Sequence, residues 1–357
     1  MRPTPKPGIL DIAPYIPGAS KADGVARPIK LSANENPLGC SPQARAAYLE
    51  AADELHLYPD SRTSRLRAAI AEKFGVEEDR LIFGAGSDEI FAIACQAYLS
   101  AGDTMVQPAH GFAAWAIAAR AAGGVVKSAP EKEYTVDVDA LLDAVDARTR
   151  IVFVANPANP TGTWLPFSEI ERLHAELPQS ILLVLDGAYA ECARGCAGYA
   201  DGLDWSRDKA NVLVTRTFSK LYGLASLRIG WAYGPTEMIA ALDRIRLPFS
   251  VPRAGEAAAV AALGDEDFLA RSAALVKAGR ARLSAAFDAR GIRTLPSAAN
   301  FVTADLGARA DDIRNGLAQR GILVRSLANY AMPDWLRISI GTETELDHLL
   351  TALDALI

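Results

Sequence analysis

Short apolar segments alternate with amphipathic segments through the first two thirds of the chain. Strand patterns occur at 80–83, 104–107, 124–127, 151–155, 181–185 and 211–215, and helical patterns at 41–50, 64–74, 90–98, 112–122, 138–147 and 167–176. The segment 151–155 is apolar at every position, which is typical of a strand in a parallel sheet that helices cover on both faces. This order predicts an α/β fold, with a mostly parallel sheet between helices.

The pattern changes at both ends of the chain. A long helix is predicted over 265–290, followed by short strands and helices at 300–305, 310–319, 322–325, 335–340 and 343–356. The first thirty residues are rich in proline and cannot form a long helix. We therefore predict an N-terminal arm (1–30) that packs on the small domain or a partner subunit, a large domain (31–250) and a small α+β domain (251–357).

The composition and net charge of the chain limit the kinds of partner that it could bind. The net charge is −6, and no basic face is evident, which argues against binding to nucleic acid. No apolar run reaches the roughly 18 residues needed to cross a bilayer, and no charged-then-apolar leader opens the chain, so we expect no membrane association and a cytoplasmic location. The four cysteines and four histidines are scattered without ligand spacing, so no metal is expected.

The segment 216–231 is the candidate centre of chemistry. Lys220 follows a strand pattern at 211–215, and hydroxyls flank it at Thr217 and Ser219. Arg228 lies eight positions further on and supplies a bidentate charge for an anion. A lysine amine in this setting can bond covalently to an aldehyde while its neighbours hold a phosphate, and pyridoxal phosphate carries both groups. A surface lysine at a strand end is the competing interpretation.

A second candidate anion site lies at 84–89, where glycines lead from a strand into a helix. Gly86, Ser87 and Asp88 occupy the start of that helix, where unpaired backbone N–H groups and the helix dipole favour an anion. An ordinary Ser or Asp cap would have the same sequence.

Polar residues also follow two apolar strand patterns. The turn 156–162 presents Asn159 after one of them, and Asp186 and Tyr189 follow the next. Ligands of open α/β sheets bind at these carboxyl ends. A buried carboxylate is costly unless a cation or a donor meets it, and a pyridinium nitrogen would serve, although Asp186 could also cap backbone N–H groups.

Further candidates lie outside these strands. Arg337 lies inside a strand pattern, where a charge either pairs with a carboxylate of the protein or receives one from a substrate; Arg325 has a similar position. Tyr15 stands between two prolines, and Asn34 lies in the turn before Pro37. Two rings complete the set, Tyr58 in the loop 57–60 and His110 ahead of the helix 112–122.

The order of these motifs resembles the fold-type I pyridoxal-phosphate aminotransferases of class I/II, in particular the histidinol-phosphate aminotransferase branch. The resemblance runs from Tyr15 to Arg337 and implies a homodimer that binds pyridoxal 5'-phosphate, an amino donor and a 2-oxo acid. It implies that Lys220 holds the cofactor and moves the proton and that Asp186 pairs with the pyridine nitrogen. The remaining roles it implies are hydrogen bonds to the ring 3'-oxygen (Asn159, Tyr189), phosphate contacts (Gly86, Ser87, Asp88, Thr217, Ser219, Arg228, and Tyr58 of the neighbouring subunit), a grip on the substrate's carboxylate or phosphate (Arg337) and a lining of the substrate site (Tyr15, Asn34, Arg325).

The chain departs from this family's pattern at two positions. His110 lies where the family usually has a tyrosine or phenylalanine stacked on the cofactor ring, and Gly187 lies where a glutamate is common. Aromatic amino-acid transamination, decarboxylation of an O-phospho amino acid and a non-catalytic binding role remain as alternatives. The joint presence of six residues argues against the last of these: Lys220, Asp186, Asn159, Tyr189, Arg228 and Arg337.

Overall fold

The computed structural model describes residues 2–22 and 24–357 of the chain. Its strands are β1 (Ile29–Leu31), β2 (Leu81–Gly84), β3 (Thr104–Pro108), β4 (Val125–Ala129), β5 (Glu131–Lys132), β6 (Thr135–Val136), β7 (Thr149–Ala155), β8 (Leu182–Asp186), β9 (Val212–Thr217), β10 (Gly230–Tyr233), β11 (Phe301–Asp305), β12 (Ile322–Leu327) and β13 (Met332–Ser339). Its α-helices are α1 (Pro42–Glu50), α2 (Ser64–Phe74), α3 (Ser87–Tyr98), α4 (Ala113–Ala122), α5 (Val138–Ala144), α6 (Phe167–Glu176), α7 (Ala190–Ala193), α8 (Thr236–Asp243), α9 (Arg253–Gly264), α10 (Glu266–Asp288), α11 (Ala310–Gln319) and α12 (Glu343–Asp354). Short 3₁₀ turns lie at Ile9–Asp11, Ala51–Glu54, Glu78–Arg80, Trp205–Asp208, Ala225–Leu227, Gly307–Arg309 and Ala328–Tyr330.

A seven-stranded sheet has the order β2-β10-β9-β8-β7-β3-β4. Strand β10 is antiparallel to both of its neighbours, and the other pairs are parallel. Alternate residues of β7 pack on opposite faces, Val152 and Val154 in one core cluster and Ile151 and Phe153 in the other. The all-apolar segment therefore forms a strand that is covered on both sides, which confirms the predicted α/β class.

A four-stranded sheet, of order β1-β12-β13-β11, has its own core. Helix α10 connects the two cores, because Val276 packs in the larger one and Leu283 and Phe287 pack in the smaller one. The division at residues 30 and 250 stays a prediction; β1 pairs with β12, and α9 contributes Ala258 and Ala259 to the larger core.

Three local features differ from the sequence-based expectations. Strand β1 was missed because it has only three residues and is defined by its pairing with β12. The hairpin β5–β6 was also missed, because each of its strands has two residues. Helix α5 ends at Ala144 instead of continuing to residue 147, because the next residues form a turn in which the Asp146 N–H donates to Thr149 Oγ1 at 2.9 Å.

Candidate active site

The candidate site is a cavity of about 460 Å³ at the carboxyl ends of the central strands. The last residues of β7, β8 and β9, namely Ala155, Asp186 and Thr217, line it, as expected for an open α/β sheet. Most of the predicted site residues also line it: Tyr15, Asn34, Ser87, Asp88, Asn159, Asp186, Tyr189, Thr217, Ser219, Lys220, Arg228, Arg325 and Arg337. The fold thus brings together residues that are up to 322 positions apart (15 to 337).

Lys220 lies in the turn after β9, and its Nζ is 5.7 Å from the centre of the Tyr189 ring. Burial lowers the pKa of the Lys220 amine, and the positive charge of Arg337 lowers it further. A neutral amine is a nucleophile, so the site favours the form of Lys220 that can react with a carbonyl.

Asp186 ends β8 and is only 5% exposed. Its Oδ1 accepts hydrogen bonds from the Ala188 N–H at 3.1 Å and from Thr215 Oγ1 at 3.3 Å. Burial raises the pKa of Asp186 to about 7, and no salt bridge neutralises this carboxyl group within residues 2–22 and 24–357. A protonated ring nitrogen is the kind of partner that this group lacks.

The anion cradle is formed where α3 begins. Gly86 caps the helix at φ 80°, and a Cβ atom there would collide with the Arg228 guanidinium. Arg228 donates to Ser219 Oγ at 3.0 Å and to Asp88 Oδ2 at 3.1 Å. Helix N–H groups, hydroxyls and a guanidinium therefore converge on one place, which suits a phosphate.

Two buried arginines, Arg325 and Arg337, also line the cavity. Arg337 of β13 donates to Asn159 Oδ1 and to the Ser32 carbonyl, and Arg325 of β12 donates to the Ile16 carbonyl. Burial lowers the pKa of Arg337, since its charge is poorly solvated. Within the described ranges neither guanidinium has a carboxylate partner, so an anionic ligand would complete their interactions.

His110 is not among the residues that line the cavity, and its expected stacking on the cofactor ring stays a prediction. Its Nδ1 is 2.7 Å from Glu131 Oε2, and its backbone N–H donates to Glu131 Oε1 at 3.2 Å, so Glu131 of strand β5 fixes the position of the ring. Phe112 lines the cavity instead and packs edge-on against Tyr15, with 6.2 Å between ring centroids. The sequence analysis missed Phe112, since no pattern in the sequence distinguishes it from His110.

Tyr58 and Gly187 also lie outside the cavity lining. Tyr58 is 79% exposed and stacks on Phe249 with 4.8 Å between ring centroids. Gly187 packs against Arg216, so that a Cβ at Gly187 would be 3.0 Å from Arg216 Cδ. Arg216 therefore fills the space beside Gly187, and Glu191 accepts from it at 3.3 Å.

The described residues carry neither a candidate metal centre nor a candidate membrane-spanning helix. Within residues 2–22 and 24–357 no group of three or more His, Cys, Asp or Glu side chains has an arrangement suited to a metal ion. None of the described helices is both long and apolar enough to span a membrane.

The fold and the site define an aminotransferase. The family model "Aminotransferase class I and II" matches residues 26–353, and the chain belongs to this family. The family acts on small molecules, and the chain is an enzyme of that class.

Individual relatives indicate which kind of aminotransferase the chain resembles. The chain is 52% identical to histidinol-phosphate aminotransferase 1 of Caulobacter vibrioides, over 96% of each chain. It is 47% identical to the histidinol-phosphate aminotransferase of Rhodospirillum centenum, over 98% of each chain. The crystal structure of histidinol-phosphate aminotransferase from Sinorhizobium meliloti in complex with pyridoxal-5'-phosphate is similar, with a TM-score of 0.87 and 32% identity over 92% of this chain and 91% of that one.

Proposed function

We propose that this protein transfers an amino group from L-histidinol phosphate to 2-oxoglutarate, giving imidazole-acetol phosphate and L-glutamate, in histidine biosynthesis. The observation that carries the proposal is the placement of Lys220, Asp186 and the Arg228 cradle in one cavity of about 460 Å³. That volume is in the range that holds a small cofactor and part of a substrate. The names of the similar proteins support the choice of substrate.

The residues fit pyridoxal 5'-phosphate. Asp186 is a buried carboxylate that lacks a cation, and the start of α3 with Arg228 is an anion cradle in the same cavity. Gly86, Ser87, Asp88, Thr217 and Ser219 would complete the phosphate contacts. Asn159 and Tyr189 would donate to the ring 3'-oxygen. When bound, the cofactor stabilises negative charge at the substrate carbon next to the amine.

Lys220 would hold the cofactor and then act as the proton carrier. Burial lowers the pKa of its amine, so that Nζ can accept a proton from the substrate carbon and return one to the cofactor. Asp186 would keep the ring nitrogen protonated, because its own negative charge is then compensated.

Arg337 would bind the anionic end of either substrate. A phosphate in one half-reaction and a carboxylate in the other both match a guanidinium. Arg325 and Tyr15 would close this part of the site, since both line the same cavity. Phe112 lines the cavity next to Tyr15 and would pack against a ring of the bound ligand.

We also propose a homodimer in which Tyr58 reaches the partner's phosphate site. Tyr58 is exposed and does not line the cavity of its own chain. Three large apolar side chains near Tyr58 are also exposed: Leu55 and Leu57, which are close in sequence, and Phe249, which contacts the Tyr58 ring. An exposed apolar surface of this kind marks an interface. The three-part division of the chain and the cytoplasmic location remain predictions.

The substrate proposal is tested by specificity constants. We expect kcat/KM for amino transfer from glutamate to imidazole-acetol phosphate to exceed that to phenylpyruvate by at least ~10²-fold, because a phosphate carries more negative charge and more acceptor oxygens for Arg337 and Arg325 than the phenylpyruvate carboxylate does. A preference for phenylpyruvate would favour aromatic amino-acid transamination. Carbon dioxide release from an O-phospho amino acid, with no amino transfer, would favour decarboxylation.

The Lys220→Ala variant is the control for the mechanism. Purified wild-type protein is expected to be yellow and to keep the cofactor covalently after borohydride reduction, whereas the variant has no such link. Lys277→Ala, an exposed lysine of α10 outside the cavity, should behave as the wild type. Normal transamination by Lys220→Ala would reject the assigned role.

A further inference from the structure

Asn34 uses its polar groups on protein partners. Its N–H donates to Ser339 Oγ at 2.8 Å, and the Ser339 hydroxyl donates to Asn34 Oδ1 at 3.0 Å. Asn300 Nδ2 donates to the Asn34 carbonyl at 2.8 Å. The residue is 1% exposed and has φ 58°, a left-handed conformation that asparagine tolerates better than most residues. The four-stranded sheet therefore fixes both the backbone and the side chain of Asn34.

The remaining hydrogen bond of Asn34 goes to Tyr189, which lies shortly after strand β8 of the seven-stranded sheet. Asn34 Nδ2 donates to the Tyr189 hydroxyl oxygen at 2.8 Å. Because that oxygen accepts from Asn34, its own proton has to point elsewhere, and no acceptor for it lies among the described residues. Tyr189 lines the cavity with Lys220, so the proton is available to a ligand there.

We propose that Asn34 is a positioning residue, which fixes the Tyr189 hydroxyl as a donor to the cofactor's 3'-oxygen, and is not primarily a contact to the substrate. This inference rests on the proposed function, since it requires pyridoxal phosphate in the cavity. It replaces the substrate-lining role that the family resemblance implied for Asn34.

Strand β13 gives this arrangement a link to the substrate. Arg337 and Ser339 are two positions apart in β13, and alternate residues of a strand lie on the same face. Ser339 holds Asn34, and Arg337 lines the part of the cavity that would bind the anionic group of the substrate. One strand therefore supports both the group that meets the substrate and the residue that orients Tyr189.

The readout is the pKa of the lysine–cofactor linkage, measured by absorbance as a function of pH. A donor to the 3'-oxygen stabilises negative charge there and lowers the affinity of the adjacent nitrogen for a proton. Loss of that donor in Tyr189→Phe is expected to raise the pKa of the linkage by roughly one. Asn34→Gly should raise it in the same direction by a smaller amount, since glycine accepts the left-handed backbone without strain.

The decisive comparison is the double variant. In a Tyr189→Phe background, Asn34→Gly should cause no further rise, because its effect acts through the hydroxyl that is already absent. Ser339→Ala should cause a smaller rise that likewise vanishes in that background, and it keeps the test valid if Asn34→Gly does not fold. Additive shifts for both variants would overturn the inference.

Asn36→Ala is the matched control. Asn36 is an asparagine of the same loop, but its Nδ2 donates to the Leu221 carbonyl at 2.7 Å and to Ser272 Oγ at 2.9 Å. The Asn36→Ala substitution should change the pKa of the lysine–cofactor linkage by the same amount with and without the Tyr189 hydroxyl. The same dependence on that hydroxyl in Asn36→Ala would mean a general disturbance of the loop and would overturn the inference. A wild-type protein that binds no titrating chromophore would instead contradict the proposed function itself.

Discussion

Asp186 is a carboxyl group that the fold buries before its charged partner binds. Burial raises its pKa to about 7, against an ordinary value of 3.8. The folded protein without cofactor therefore binds a proton more tightly than the unfolded chain does. Its contribution to stability is most favourable below the unfolded pKa and is lost as the pH rises from about 4 to about 7.

We predict that Asp186→Asn stabilises the cofactor-free protein by a few kcal/mol at pH 8 and by much less at pH 5. The reason is that asparagine resembles the protonated acid, so the variant lacks the cost of a buried charge. Denaturant unfolding at the two pH values measures the difference. With cofactor bound, the order should reverse, because only the wild type pairs with the ring nitrogen. An equal gain at both pH values in the cofactor-free protein would contradict the prediction.

Residue types at strand ends were predictable, but side-chain directions were not. The strand pattern of 181–185 placed Asp186 at the carboxyl edge of the sheet, where ligand-binding residues collect. No sequence pattern distinguished His110 from Phe112, because the side chain that fixes His110 is Glu131, 21 positions away on strand β5. The bond from Asn34 to Tyr189 likewise joins residues 155 positions apart.

The anion cradle depends on the close approach of strand β10 to the start of helix α3. A Cβ on Gly230 would lie 2.3 Å from the Ser87 nitrogen, which is a backbone atom that cannot move alone. The glycine is thus required by the packing of one strand against one helix end.

Gly230→Ala is expected to weaken pyridoxal-phosphate binding by ~10-fold or more and to lower Tm by several degrees, because α3 has to move from the cradle. Gly264→Ala is the matched control, since nothing lies within 4 Å of a Cβ at that helix end. Cofactor titration and thermal unfolding measure the two effects. Unchanged cofactor affinity in Gly230→Ala would show that the helix start does not hold the phosphate.

Elements with a clear period were predictable, and strands of only two or three residues were not. Helices α1, α2 and α6 begin and end within one residue of the predicted ranges, because caps and apolar spacing act locally. Strand β1 has three residues and exists only through β12, so its formation depends on a partner far along the chain.

At the scale of the whole molecule, the proposed homodimer makes each site depend on both chains. Tyr58 is exposed; the Arg253 guanidinium donates to its carbonyl at 3.1 Å, and its ring stacks on Phe249, so both its backbone and its ring are held at the surface. A site completed across an interface can be tested by mixing two defective chains.

We predict that mixed dimers of Tyr58→Ala and Lys220→Ala regain activity that neither variant has alone at limiting cofactor. In a mixed dimer one site carries both changes and the other carries neither, so about a quarter of the sites are intact after random reassortment. Amino transfer after co-refolding measures the recovery, with separately refolded variants as the control. If Tyr58 served its own chain's site, each site would keep one defect and no activity would return.

The pairing of β1 with β12 also has a consequence for biosynthesis. The ribosome has delivered every strand of the seven-stranded sheet once Tyr233 emerges, but Ile29 finds its neighbour only when Ile322 has been made. Asn34 follows β1 directly, so it takes its place beside Tyr189 only late in translation. A nascent chain can therefore fold the part that carries Lys220 while its catalytic centre is still incomplete.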